Sequence, residues 1–160
     1  MAYTSPVTDR DQADIDALNS KAYFNVADWT RIYDNAEHVN GLFTSVLGYP
    51  ISFVTLDTPT TATIPTVTAF NTLMENINRM SAWAAEYAAA PIVGTLKGDW
   101  QAGAGMQSPN YADVNTWESI IDVLYVLLSS WTPPAISGNL DLGGGDSLEL
   151  GGGGYLELGA

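Results

Sequence analysis

The sequence has no cysteine and very few basic residues. Without cysteine, disulfides and thiolate metal sites are excluded. Only 5 Lys and Arg residues stand against 18 Asp and Glu residues, which gives a formal net charge of −13. Phosphate backbones and anionic lipid surfaces bind basic stripes of protein surface. We therefore expect neither nucleic acid nor a membrane among the partners of this chain.

Long hydrophobic runs are missing as well. No apolar window reaches the roughly 18 residues that a membrane-spanning helix needs. Residues 1–6, Met-Ala-Tyr-Thr-Ser-Pro, contain no basic stretch followed by an apolar run, so we expect no secretory signal. These features predict a soluble protein that is made in a cytoplasm.

Residues that could carry out chemistry are scarce. The only histidine, His38, lies between Ala36 and Val39, two apolar positions on one face of a predicted helix. This place is typical of a partly exposed helix residue. The acidic run from Asp9 to Asp16 lacks the glycine and the final glutamate of a calcium loop. A catalytic pair of acids could draw on Glu75, Glu86, Asp99 and Glu118, but no pattern marks these residues. No pattern supports a nucleophile, a metal or a cofactor, and we expect a protein that is not an enzyme.

Three segments carry apolar residues at alternating spacings of three and four, the pattern of a helix with one apolar seam. The seams are Trp29, Ile32, Ala36, Val39, Phe43 and Val46; Phe70, Leu73, Ile77, Met80, Ala84 and Tyr87; and Val114, Trp117, Ile121, Leu124 and Leu128. The expected boundaries are Asn25 and Gly48, Thr66 and Pro91, and Asn110 and Pro133. A shorter acidic helix from Thr8 to about Asn19 is expected before them.

The first and third helices share an Asn-x-Ala-Asp start and the same seam spacing. The similarity has two explanations, an internal duplication or a chance match of two capped helices. In either case, helices with matched seams are expected to form a bundle. The connectors between the helices are long, and residues 51–56 and 92–96 have the composition of short strands that could pair beside the bundle.

From residue 139 the chain repeats every eight residues. Residues 140–143, 148–151 and 156–159 each read Leu-acid-Leu-Gly. The alternation predicts short strands with leucines on one face, and the glycines between them allow tight turns. Two alternatives are a calcium-binding β-helix, whose repeat has nine residues with an aspartate in every copy, and a flexible glycine-rich tail.

Strands this short cannot bury their leucines alone, so we expect them to pack against copies of the same chain, most simply as a trimer. The predicted oligomer interface consists of Leu140, Leu142, Leu148, Leu150, Leu156 and Leu158. Two tryptophans in predicted loops, Trp100 and Trp131, are possible contacts with a partner.

Two stretches resemble small virion proteins of tailed bacteriophages. Residues 21–32 read Lys-Ala-Tyr-Phe-Asn-Val-Ala-Asp-Trp-Thr-Arg-Ile, and residues 108–118 read Ser-Pro-Asn-Tyr-Ala-Asp-Val-Asn-Thr-Trp-Glu. Tail and fibre-associated proteins of phages of Gram-positive hosts carry an aromatic-Asn-x-x-Asp-x-Asn-Arg-(Ile or Trp)-Glu segment at a helix start. Arg31 and Glu118 keep parts of that pattern, although neither copy has the whole Asn-Arg-Ile-Glu string. The C-terminal repeats are similar to trimeric fibre shafts.

The sequence thus predicts a mainly α protein: a bundle of three long helices and a short preceding helix, with short β segments in the connectors and a C-terminal glycine-rich β-repeat. Its expected parts are a helical docking domain (1–130), a proline-containing linker (131–138) and the octapeptide repeat (139–160). The resemblance implies a phage structural protein that assembles with itself and with other virion proteins and is located in the virion. A receptor- or glycan-binding module of a tail tip is the alternative.

Overall fold

The protein is mainly helical in a computed structural model, which describes residues 2–22, 24–57, 59–60, 65–87 and 109–132, and the backbone of 140–141 and 147–148. Its helices are α1 (Gln12–Asp16), α2 (Val26–Leu47), α3 (Val67–Tyr87) and α4 (Tyr111–Ser129), with a 3-10 turn at Ser20–Ala22. The three long helices pack as a bundle around one core. The predicted helical bundle is confirmed.

The long helices begin where the local chemistry predicts, and α2 also ends there, while the end predicted for α3 at Pro91 lies outside the described residues. The side chain of Asn25 accepts from the backbone of Asp28, and the Asp28 side chain accepts from the Asn25 amide. Asn110 and Asp113 form the same reciprocal capping box at the start of α4. Gly48 ends α2 with φ of 66°, a left-handed conformation that glycine adopts at little cost.

The predicted seams form the core. Edge-to-face contacts between aromatic rings occupy one end of it, where Trp29 meets Phe70 at a centroid distance of 5.1 Å. One of the seam residues whose side chains the structure describes was predicted wrongly: Val46 is 37% exposed, because it lies in the last turn of α2. The side chain of Tyr87 is not described. The seam residues that the structure shows to be buried are Trp29, Ile32, Ala36, Val39, Phe43, Phe70, Leu73, Ile77, Met80, Ala84, Val114, Trp117, Ile121, Leu124 and Leu128.

The first helix is shorter than predicted. Asp11 caps α1 from an extended conformation and so delays its start to Gln12. The residues before it have no regular secondary structure and lie along the bundle. The prediction of a helix from Thr8 is therefore wrong, because the acids near its start cap a single short helix instead of continuing one.

The strand predicted at 51–56 is also wrong. These residues have no strand partner among the parts of the chain that the structure describes; they lie beside α3 without regular secondary structure. Asn76 of α3 binds the backbone of Val54 in place of a neighbouring strand. The strand predicted to pair with them, 92–96, lies outside the described residues.

Two short strands stand in the C-terminal repeat. β1 (Leu140–Asp141) pairs antiparallel with β2 (Ser147–Leu148), and Leu140 lies opposite Leu148. Residues 142–146, 149–160 and most of the predicted linker lie outside the described residues. How the repeat packs therefore stays a prediction.

Candidate functional site

Residues 2–10, which we call the arm, have no regular secondary structure and lie along α2 and α4. The backbone N–H of Thr4 donates to Asn35 Oδ1 at 2.9 Å, and Asn35 Nδ2 donates to the Thr4 carbonyl at 2.7 Å. Asn35 lies on α2 and is 2% exposed. Its amide therefore supplies one donor and one acceptor to the arm, as a neighbouring β-strand would.

A buried ion cluster joins the arm to both helices. Arg10 of the arm donates through Nη2 to Asp28 Oδ1 at 2.8 Å and to Glu118 Oε1 at 3.0 Å. Arg31 of α2 binds Glu118 of α4 through two nitrogens, at 3.0 and 2.7 Å, and also reaches Asp28 at 2.6 Å. The second Glu118 oxygen accepts from the backbone N–H of Val7 at 2.6 Å. One glutamate thus holds together α2, α4 and the arm.

The cluster is balanced in charge and almost closed to solvent. Its side chains are 3% exposed for Arg10, 9% for Asp28, 16% for Arg31 and 1% for Glu118. Two guanidinium groups face two carboxylates, so no net charge is buried. The hydrogen bonds to Glu118 raise the pKa of Arg31, although burial acts in the opposite direction. Removing any single member would leave an uncompensated charge in the interior.

An aromatic contact holds the other end of the arm. The ring of Tyr3 stacks on Tyr125 of α4 at a centroid distance of 3.7 Å, and its hydroxyl donates to Asp122 at 2.9 Å. Burial and, to a smaller extent, this hydrogen bond raise the pKa of Tyr3. His38 lies beside both tyrosine rings and is partly exposed, as its place on the helix predicted.

A second extended segment, residues 51–57, is held between α2 and α3 by the same means. Asn76 accepts from the Val54 N–H at 2.9 Å and donates to the Val54 carbonyl at 2.8 Å. The Tyr33 hydroxyl of α2 accepts from the Leu56 N–H at 3.1 Å. Asn35 and Asn76 each directly precede a seam residue of their helix. Two of the long helices therefore carry a buried amide that binds extended backbone.

The basic residues that the structure describes are all bound to acids of the same chain. Besides the two arginines of the ion cluster, Lys21 contacts Asp9 at 3.0 Å and Asp14 at 3.6 Å, and Arg79 pairs with Glu75. Lys97 lies outside the described residues. The outer surface of the described helices consequently presents carboxylates without basic residues to balance them.

A cleft of about 350 Å³ opens between the end of α2 and one face of α3. Its walls include Tyr49, Arg79, Trp83 and Glu86. Trp131, predicted as a possible partner contact, is partly buried, and its ring meets that of Trp83 edge to face at 5.9 Å. The structure thus places Trp131 beside the cleft, whereas Trp100 lies outside the described residues.

The other residues singled out from the sequence are not brought into one site. Of the six leucines of the repeat, Leu140 and Leu148 are backbone partners in the two-stranded ladder, and Leu142, Leu150, Leu156 and Leu158 lie outside the described residues. Among the acids considered for catalysis, Glu75 is paired with Arg79 and Glu118 is enclosed by its partners, while Asp99 is not described. Trp117 is core, as predicted.

The ion cluster was missed in the sequence because its members are far apart along the chain. A signal was present in the two similar helix starts, residues 21–32 and 108–118, which contain Arg31 and Glu118. Asp28 was identified only as a capping residue, and it does cap α2 while also binding both arginines. Arg10 had no signal beyond being one of five basic residues.

Among the described residues, no group of three or more His, Asp or Glu side chains is arranged to hold a metal ion. Within the same residues, none of the helices combines the length and apolar character needed to cross a membrane. No family model, curated protein or solved structure matches the chain.

Proposed function

We propose that this protein is a non-enzymatic structural component of a tailed-phage virion, which attaches to the particle through its helical domain and self-associates through its C-terminal repeat. The observation that carries the proposal is the buried ion cluster. Asp28, Arg31 and Glu118 belong to the stretches that resemble phage tail and fibre-associated proteins, and they meet in this one cluster. Their role there is to join two helices and the arm.

The environment of Glu118 supports a structural role over a catalytic one. A carboxylate that acts as a general acid or base must reach a substrate, usually within about 3 Å. Glu118 is 1% exposed, and both its oxygens are occupied by two arginines and a backbone amide. The polar side chains of this cluster are thus committed to holding the chain together.

Self-association can be tested on the full chain. We expect the protein to sediment as a multiple of 17.1 kDa, three copies in the simplest arrangement. A variant with the six repeat leucines replaced by serine should sediment as a monomer with unchanged helical circular dichroism. If the unmodified protein is itself a monomer, self-association through the repeat is wrong in solution.

Attachment to a virion requires a separate test. We expect the chain among the proteins of phage particles purified from a lysate of a host that carries its gene, at many copies per particle by mass spectrometry. If the chain stays in the unassembled fraction of a lysate that contains complete particles, the virion assignment is contradicted.

The cleft beside Trp83 favours a second function, binding of a cell-surface glycan. Aromatic rings that pack on sugars, together with an acid and an arginine that bind hydroxyls, are the side chains such a site needs, and the cleft offers Tyr49, Trp83, Arg79 and Glu86. A pull-down on host cell-wall glycan tests this function. Binding that Tyr49→Ala and Glu86→Gln each weaken at least tenfold supports it, and equal binding by these variants contradicts it.

A further inference from the structure

The arm and the residues that connect it to α2 are held very differently. The arm is bound to the bundle at both ends and in the middle, through Tyr3, Thr4, Val7 and Arg10. By contrast, apart from the bonds within the 3-10 turn itself, the hydrogen bonds and ion pairs that the structure describes for residues 12–21 go to partners within residues 9–21. α1 contains no buried residue. The arm is therefore bound tightly to the helices, and its connection to them is not.

The connection also contains a strained residue. Leu18 has φ of +52° and is 71% exposed. A side chain beyond Gly, Asn or Asp in this left-handed region crowds the backbone. The turn is closed by hydrogen bonds from Leu18 N to Ile15 O at 3.0 Å and from Asn19 N to Asp14 O at 3.2 Å. Opening the turn would release the strain without uncovering core residues.

From these two observations we propose that the protein exchanges arms: residues 2–10 of one copy occupy the groove between α2 and α4 of a second copy. Arg10 of the first copy then completes the ion cluster with Asp28 and Glu118 of the second copy, and Tyr3 of the first copy stacks on Tyr125 of the second copy. Residues 11–22 act as the hinge. The groove is thus a binding site for an extended segment of this same chain.

The energetics of the ion cluster favour exchange over an empty groove. Without an arm, Asp28 and Glu118 would share only Arg31, and one negative charge would be left uncompensated beneath the surface. The exchanged and unexchanged forms make the same contacts in the groove, so they differ mainly in the hinge. Strained hinges favour the exchanged form, and a high local concentration of copies does so too. The proposal rests on the proposed function because self-association would supply that concentration.

Photocrosslinking of isotopically mixed copies tests the exchange in the full chain. Benzoylphenylalanine would replace Ser5, an exposed arm residue next to Thr4, so that Tyr3 and Arg10 keep their contacts. Light and ¹⁵N-labelled copies are mixed equally, unfolded in urea, refolded together and irradiated. With complete exchange, about half of the crosslinks between the arm and α2 or α4 join a light peptide to a heavy one. Crosslinks that join only peptides of the same isotope would overturn the proposal, as would the absence of crosslinks to these helices.

A native mass spectrum of the same samples separates this proposal from the proposed function. Oligomers that contain only same-isotope crosslinks would refute arm exchange and leave self-association intact, whereas monomers would refute both. The hinge is tested with Leu18→Gly, which should lower the equilibrium ratio of exchanged to unexchanged arms about fivefold, the factor for a strain of about 1 kcal/mol in each hinge. The exchanged fraction is twice the mixed fraction of the crosslinks. The control is Ala17→Gly, because Ala17 is exposed with an ordinary φ of −82°. Equal ratios in the two variants would overturn the role given to Leu18.

Discussion

Replacing Arg10 by methionine would remove one of the two cations from the buried cluster while keeping an aliphatic stem of similar length. Asp28 and Glu118 would each lose a charge-assisted hydrogen bond, at 2.8 and 3.0 Å respectively. Such bonds contribute about 1.5–3 kcal/mol each, and breaking a buried ion pair on one side costs about 3–5 kcal/mol. Arg31 still binds both carboxylates and offsets part of the loss. We therefore expect the free energy of unfolding to fall by about 3 kcal/mol.

Urea unfolding followed by tryptophan fluorescence measures this change, since Trp29 and Trp117 are buried in the core. The matched control is Arg79→Met, which removes an exposed ion pair with Glu75 and should cost less than about 0.5 kcal/mol. A double-mutant cycle that combines Arg10→Met with Glu118→Gln should give a coupling of at least about 1.5 kcal/mol. The reasoning is refuted if Arg10→Met costs no more than the control.

Three further outcomes are expected. Asn76→Ala should lower the free energy of unfolding by about 2 kcal/mol in urea denaturation, because both backbone groups of Val54 lose their buried partner. A change below about 0.5 kcal/mol would contradict a stabilising role for the two hydrogen bonds between Asn76 and Val54. Because the pKa of Tyr3 is raised above 10.0, the folded state keeps the phenol proton longer than the unfolded state, so the stability due to Tyr3 is complete below pH 10 and is lost as the pH rises further. Hydrogen exchange of the arm should accelerate there, and the Tyr3→Phe variant should lack that additional acceleration. Gly48→Ala should cost about 1 kcal/mol by thermal unfolding, since the left-handed φ of 66° strains any residue with a Cβ atom; an unchanged melting temperature would argue against a strained helix end.

The helices could be predicted from the sequence because their signals are local. A seam needs only the spacing of apolar residues within one helix, and a capping box needs only two side chains three positions apart, as at Asn25 and Asp28. The same local logic predicted the left-handed end at Gly48. These features do not depend on where the rest of the chain lies.

The extended segments could not be predicted because their partners are distant and polar. A run such as 51–56 has the composition of a strand whether its backbone meets another strand or an asparagine side chain. Asn76 gives no sign in the sequence that it will be fully buried, since asparagine is usually exposed. Glu118 likewise lies 108 positions from Arg10, and no periodicity links them. The candidate site thus depends on contacts that only the folded chain defines.

Asn35 and Asn76 each bind the N–H and the C=O of one residue, an arrangement that we call an asparagine clamp, and these clamps affect how this architecture can vary. Asn35 and Asn76 bind the N–H and C=O of Thr4 and Val54, which every residue except proline offers in the same form. Substitutions at the clamped positions therefore leave the clamps intact, whereas substitutions of the two asparagines do not. Over evolutionary time, the two clamped positions are free to diverge in sequence while their paths stay fixed, whereas side chains of the arm that make contacts of their own, such as Arg10, are not. Homologous chains should then be easier to identify from amides placed one residue before a seam position than from the residues those amides hold.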